Sequence, residues 1–486
     1  MRRSRFWRSY LMMLDMHKNR IPETVRTIHL IAVCGTGMGA LACMLQDLGF
    51  EVTGSDQKIY PPMSHFLEKK GVRIMDGFRA ENLSYAPDLV IVGNAVIREN
   101  PEVGELDRRG LNFCSMPQAL NRFVAGGKKT LLVSGTHGKT TTSSILAWIL
   151  HEAGLDPSFM IGGILKNFDS NYRLGNGPYF VVEGDEYDTA FFDKGPKFFH
   201  FDPQMTVLTS VEFDHADIFN DLDHVKRIFK AFISDLQKSS LLLAYDGDKN
   251  LAEIITHANC RVENYGKNTS STWRLGTVSV DSPWTTFEIL KNNEHLAALK
   301  TRLFGEHNLL NALAVVAIAD RLKIPLQIIA GALESFEGIK RRQEIRGEKR
   351  QITVIDDFAH HPTAVRETIR AVKSVQSKGR LIAVFEPRTN TSMRSIFQTE
   401  YLQSFEMADL ICIRHPPLLK KIPSGQRFSS RQLVADLKRL GKDAHYFADT
   451  DAIIAFLTAA AKPQDLILIM SNGGFDNIHQ RLLESL

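Results

Sequence analysis

Apolar and polar positions fall into alternating blocks along most of this chain, and the blocks repeat a strand-then-helix rhythm. The apolar run Ile28-His29-Leu30-Ile31-Ala32-Val33 leads into a glycine cluster, then into helical spacing through Leu48 and Gly49. Glu51 to Asp56 and Asp88 to Val92 read as further strands. The rhythm restarts at Leu131-Leu132-Val133, with Ile145, Leu146, Trp148 and Ile149 forming the following helix. Tyr179 to Val182 and Met205 to Ser210 are strand-like, and residues 271–303 predict an antiparallel addition. A helix opens at Gly305-Glu306-His307 with an apolar face of Leu313, Val316 and Ala317. A third alternation has strands Thr353–Ile355, Leu381–Phe385, Leu410–Ile413 and Leu466–Met470, with helices near 362–376, 395–407, 429–439 and 476–485. Strands alternating with helices predict parallel sheets and an α/β fold. The 486 residues fit about three domains at roughly 150 residues each. The boundaries expected are 28–125, 126–335 and 336–486, with Ala125-Gly126-Gly127 as a linker. Residues 1–27 precede the first domain, and Met1 to Arg20 within them read as a basic, disordered extension, with Met16 as an alternative start.

Chemistry concentrates where strands end. Gly135-Thr136-His137-Gly138-Lys139-Thr140-Thr141 joins a strand to a helix. Its glycines let backbone amides approach an anion, and the helix N-terminus adds free N–H groups. Lys139 offers an ammonium to the β- and γ-phosphates and Thr140 a hydroxyl to Mg²⁺, so ATP is the expected ligand. An earlier loop, Gly35-Thr36-Gly37-Met38-Gly39-Ala40, precedes Asp56 by about 20 residues, which is the dinucleotide fingerprint. Alone it suits NAD or any nucleotide diphosphate, UDP-sugars included. Asn94, past the strand Asp88–Val92, is either a ligand contact or a turn residue.

The run Glu183-Gly184-Asp185-Glu186-Tyr187-Asp188 puts four carboxylates in six residues, an arrangement that calls for cations or solvent. Glu183 is the first Mg²⁺ candidate and His215, at another strand end, the second. Asn308 reads as a helix cap and Asn311 as a group facing a ligand. Asp356-Asp357-Phe358-Ala359-His360-His361-Pro362, Glu386-Pro387-Arg388-Thr389-Asn390-Thr391 and Ser471-Asn472-Gly473-Gly474-Phe475 predict a site at one edge of the third sheet.

Composition narrows the classes. Hydrophobic residues make up 44% and charged residues 23%, ordinary values for a globular chain. A net charge of +4 argues against a dedicated nucleic-acid binder. Five cysteines without metal spacing read as reduced thiols in a cytoplasmic protein, and no apolar run is long enough to span a membrane.

Taken together and in this order, the glycine-lysine loop, Glu183-Gly184-Asp185-Glu186, Asp214-His215, His307-Asn308 with Asn311, Arg341-Arg342 and Asp356-Asp357 to His361-Pro362 resemble the Mur ligases. The resemblance covers nearly everything from Ile28. It implies a three-domain architecture with Rossmann-like N- and C-terminal domains around a P-loop ATPase domain. It also implies that the first glycine loop (Gly35, Thr36, Gly37, Met38, Gly39, with Asp56 and Asn94) holds a UDP-sugar and that no NAD is used. One Mg²⁺ would be held by Thr140 and Glu183, and a second, near the substrate carboxylate, by His215. ATP would be held by Gly135 to Thr141, Asn311, Arg342 and Asp357, and peptide by His360, Arg388, Asn390 and Asn472. The implied reaction passes through an acyl phosphate, with Lys139, Glu183, His215, His360 and Arg388 as catalytic residues. The segments from Glu183, Glu386 and Ser471 resemble the subgroup joining UDP-N-acetylmuramate to the murein tripeptide L-alanyl-γ-D-glutamyl-meso-diaminopimelate. Glu386-Pro387-Arg388 stands where ligases for free L-alanine carry Pro-His-Arg, which disfavours alanine as acceptor. Some relatives carbamylate a lysine; Lys226 and Lys230 fall in that region.

Overall fold

A computed structural model of the chain describes residues 14–59, 63–376 and 378–486. Three large sheets carry it, beside a two-stranded one formed by Asp188–Ala190 and Asp193–Pro196. The first has five parallel strands, with Thr27–Ile31 in the middle between Glu51–Asp56 and Leu89–Val92. The central residues Ile28, Leu30, Val90 and Ile91 are fully buried, as strands covered on both faces require. Gly39 sits where the following helix, Thr36–Asp47, crosses its strand; a Cβ there would lie 2.4 Å from Met63 Cε and 3.2 Å from the Val33 carbonyl.

The second sheet has ten strands, and the phosphate-loop strand Lys129–Ser134 lies inside it, between Pro203–Leu208 and Tyr179–Gly184. All three end at the same edge, which is where ligands bind in open α/β sheets. The expected antiparallel addition is present as Trp273–Asp281, Trp284–Lys291 and Glu294–Thr301. The third sheet has six strands, five of them parallel, with Ile352–Asp357 and Leu381–Phe385 flanking Leu466–Met470. Its edge strand Glu344–Lys349 runs antiparallel and has only exposed and half-buried positions, so it carried no buried-strand signal.

Two expectations fail. Residues 14–27 are ordered: Met16–Lys18 form a 3₁₀ turn, and Asn19 bridges to Phe113 and bonds Gln118 at 3.3 Å. The expectation of disorder for residues 1–13 lies outside the described residues. The helix expected over 395–407 splits into Ser395–Phe397 and Glu400–Ser404, although Phe397, Tyr401 and Phe405 keep helical spacing toward the core. Among the described residues no helix is long and apolar enough to cross a membrane.

Candidate functional site

The phosphate loop is built from its neighbours as much as from its own glycines. Gly135 has φ +124°, and a Cβ would fall 2.3 Å from Thr209 Oγ1, so only glycine fits beside that strand end. Gly138 has φ +81° at the N-cap of the helix Lys139–Glu152, and a Cβ there would meet Asn311 Oδ1 at 2.7 Å. Asn311, in the helix Glu306–Arg321, therefore overhangs the loop. Thr136 donates its amide to Ser210 O at 2.9 Å, and His137 donates its amide to Ser210 Oγ at 3.0 Å. Lys139 donates to Gly135 O at 2.6 Å and to Glu186 Oε2 at 2.9 Å. Burial alone would lower the lysine's pKa, but Glu186 and Asp185 overcome it and hold the ammonium protonated.

The acidic run separates into distinct roles. Glu183 accepts from Thr140 Oγ1 at 3.2 Å and from the Gly162 amide at 2.7 Å. Burial and the adjacent Asp185 push its carboxyl above the usual range, the signature of a site short of positive charge. Asp185 accepts from Lys197 at 2.8 Å; against burial, Lys197 and Lys139 pull it down to about 2. Glu186, which sequence reasoning passed over, reaches both Lys139 and His215, the latter at 3.6 Å. His215 itself has φ +51°, an uncommon conformation for a residue with a Cβ. Thr140 and Glu183 are thus in contact, whereas His215 approaches Glu186. The Lys226 ammonium pairs with Glu253 at 2.6 Å.

A cavity of about 450 Å³ opens between this edge and the third sheet. Thr136 to Thr141, Asn308 and Asn311 line one side, and Arg342, Asp357, His360 and His361 the other. Asp357 accepts backbone amides from Gln343 and Ala359, both at 2.8 Å, yet burial raises its pKa against the pull of Arg342. Arg342 lies 5.1 Å from the Phe358 ring centre. Burial lowers the pKa of His360, and its Nδ1 contacts the Phe358 carbonyl at 3.0 Å. A carbonyl only accepts, so the proton sits on Nδ1 and Nε2 keeps its lone pair. Asn308 is no cap: it is the third residue of its helix and donates back to Phe304 O at 2.9 Å and to Gln343 at 3.0 Å.

Arg388 lies outside this lining. Its stem crosses Gly473, where a Cβ would come within 2.3 Å, and its Nη1 is 3.6 Å from Glu386 Oε2. Glu386 is fully buried; it also pairs with Arg414 and accepts from Ser471 at 2.6 Å. The buried carboxylate thus holds two guanidinium groups, a role the sequence did not disclose. Asn472 Oδ1 is buried without a hydrogen-bond partner. Asn390 donates to Asp217 at 3.0 Å, tying the third sheet's loop to the loop after His215.

In the first sheet, Gly35 caps the helix Thr36–Asp47 and leaves its N-terminus open. Met38 is buried, and the Thr36 carbonyl accepts from Asn171 at 3.4 Å. Asp56 is turned onto its own glycine loop, accepting the Cys34 amide at 2.9 Å. Asn94 reaches the second sheet's acidic loop, donating to Asp188 O at 2.7 Å.

Comparison with known proteins adds an independent line. The family descriptions "Mur ligase family, catalytic domain", "Mur ligase middle domain" and "Mur ligase, glutamate ligase domain" match residues 27–128, 133–319 and 341–473. Over 461 residues the chain is 40% identical to an Escherichia coli UDP-N-acetylmuramate–L-alanyl-γ-D-glutamyl-meso-2,6-diaminoheptandioate ligase, covering 94% of this chain and 98% of that one. The Haemophilus influenzae protein of the same name is 38% identical over 464 residues, covering 95% and 99%. The crystal structure of a murein peptide ligase from Psychrobacter arcticus aligns with a TM-score of 0.71 at 35% identity, over 95% of this chain and 98% of that one.

Proposed function

Because this chain belongs to the Mur ligase family and is an ATP-dependent, amide-bond-forming ligase, we propose that it joins UDP-N-acetylmuramate to L-alanyl-γ-D-glutamyl-meso-diaminopimelate. The observation that carries this reading is the two-sided cavity: phosphate-loop groups on one wall and Arg342, Asp357 and His360 on the other. Its volume lies within the usual ligand-pocket range of roughly 300–1,000 Å³.

The muramoyl carboxylate attacks the γ-phosphorus of ATP, the bond to the β-phosphate oxygen breaks, and ADP leaves. Lys139 neutralises the anions that must approach each other, as phosphoryl transfer demands. Thr140 and Glu183 fit Mg²⁺, since both offer hard oxygens and desolvation beside Asp185 raises the pKa of the Glu183 carboxyl, and His215 would hold a second Mg²⁺ near the muramoyl carboxylate. When bound, Mg²⁺ supplies charge neutralisation at the phosphates. The peptide amine then attacks the acyl carbon, and the carbon–oxygen bond to phosphate breaks. His360, neutral through burial, offers Nε2 to the amine proton.

Asn311 overhangs the phosphate loop and serves the adenine; Arg342 and Asp357 serve phosphate and ribose. Gly35 to Gly39 and Asn94 serve the UDP-sugar, with Asp56 bracing their loop. Arg388, oriented by buried Glu386, serves a peptide carboxylate, beside Asn390 and the unpartnered Asn472. Divisions near residues 126 and 336 let the three sheets close on the substrates. Five unbridged cysteines support a cytoplasmic setting. The reading is tested by single-turnover product analysis: wild type is expected to form the UDP-muramoyl tripeptide only when ATP, sugar nucleotide and peptide are all present. Product formed without ATP would reject it.

A further inference from the structure

One side-chain cluster on the cavity wall, which includes His137 of the phosphate loop, carries out none of the steps above. His137, Glu212 and His361 each offer a donor atom, and the three atoms lie within 4.8 Å of one another. His137 Nε2 is 3.5 Å from Glu212 Oε2, and His361 Nδ1 is 3.8 Å from the same oxygen. Donors on a tetrahedral zinc ion at 2.0–2.1 Å sit about 3.3 Å apart, so both gaps close with shifts of a few tenths of an ångström.

The surroundings are those of a ligand set. His137 Nε2 is buried and has no hydrogen-bond partner. His361 is buried, and its Nε2 donates to the Phe213 carbonyl at 3.1 Å, which leaves the lone pair on Nδ1, facing Glu212. That backbone contact is how metal-binding histidines are commonly oriented. Glu212 is oriented in turn by the Thr363 hydroxyl at 2.7 Å. The Thr363 amide, 3.3 Å from His361 Nδ1, forms only a long cap bond that a metal displaces. Burial pushes the His361 pKa down to about 4, so its ring is neutral near pH 7.

We propose that His137, Glu212 and His361 form a binding site for an imidazole-preferring divalent cation of the zinc class. The site is distinct from the oxygen-rich cluster at Thr140 and Glu183. Two imidazoles and one carboxylate select zinc, cobalt or nickel over magnesium. His137 and Glu212 follow strands of the second sheet, whereas His361 caps the helix Pro362–Val375 of the third. A bound cation therefore clamps the two walls of the cavity together. The proposal does not depend on which acceptor the enzyme uses.

The test is a titration of metal-stripped full-length protein with Co²⁺, followed by visible absorption, then competition with Zn²⁺ and with Mg²⁺. One saturable Co²⁺ per chain is expected, displaced by Zn²⁺ and not by excess Mg²⁺, with a rise in the thermal unfolding midpoint. His361→Asn keeps a helix-capping acceptor, and Glu212→Gln keeps the volume; each is expected to weaken binding about tenfold or more. Circular dichroism without metal verifies that they fold, and His137→Asn replaces either that does not. Absence of a saturable site overturns the proposal. So does displacement by Mg²⁺ as readily as by Zn²⁺, or wild-type affinity in the folded variants.

Discussion

At the scale of single residues, the account assigns charge handling to few side chains. Lys139 is fixed by Gly135 O and Glu186 and stays protonated, so Lys139→Ala is expected to lower turnover by about 10²–10³ with the fold intact. Near-normal ADP release by that variant would remove the phosphate-loop role. Arg388 is held by Glu386 across Gly473, and Arg388→Lys keeps charge but loses the planar fork. The expected outcome is a raised KM for peptide, with those for ATP and sugar nucleotide nearly unchanged; steady-state kinetics in each substrate checks it. Lys139 and Thr140 were legible as a pair because one local loop holds both, and Glu183 because it ends the neighbouring strand of the same sheet. Glu186, Glu212 and Glu386 were not: their partners His215, His361 and Arg414 lie on other elements, and only the tertiary fold brings them together.

At the scale of elements, the helices around the cavity are built for the loop they face. Gly138→Ala places a left-handed non-glycine residue against Asn311, a conformation costing about 1–2 kcal/mol before that contact is counted. Thermal unfolding is expected to fall by that order and ATP binding to weaken; an unchanged protein would show that the loop relaxes freely. The helix Glu306–Arg321 carries half-buried His307, whose Nδ1 is buried without a partner and whose pKa falls from 6.5 to about 4, chiefly through desolvation. Between those values the unfolded chain binds a proton that the folded chain refuses, so stability present above about pH 6.5 is lost as pH falls toward 4. Denaturant unfolding at about pH 7, 6 and 5 is expected to show that loss, and His307→Gln to make it shallower. Equal slopes for both proteins would contradict it. The strand-helix rhythm was readable because buried parallel strands are continuous apolar runs, as at Leu381–Phe385 and Leu466–Met470. It failed at 395–407, where the helix breaks between Phe397 and Glu400 although the apolar positions keep helical spacing.

At the scale of the whole molecule, three sheets point their strand ends toward shared clefts, and side chains cross between them. Asn94 bonds the acidic loop, Asn390 bonds Asp217, and Thr363 bonds Glu212. The α/β class and the three alternations followed from sequence periodicity, but these crossings did not, since no local pattern encodes a contact 94 or more residues away. Under the proposed function, the acceptor amine meets the activated carboxylate between the second and third sheets, which makes closure of the sheets a requirement. The most direct test of that account is ADP release by wild-type protein with ATP, Mg²⁺ and UDP-N-acetylmuramate, comparing the tripeptide with L-alanine as acceptor. The account predicts strong preference for the tripeptide, with little turnover when either the peptide or the sugar nucleotide is withheld. Equal or better use of L-alanine would contradict it.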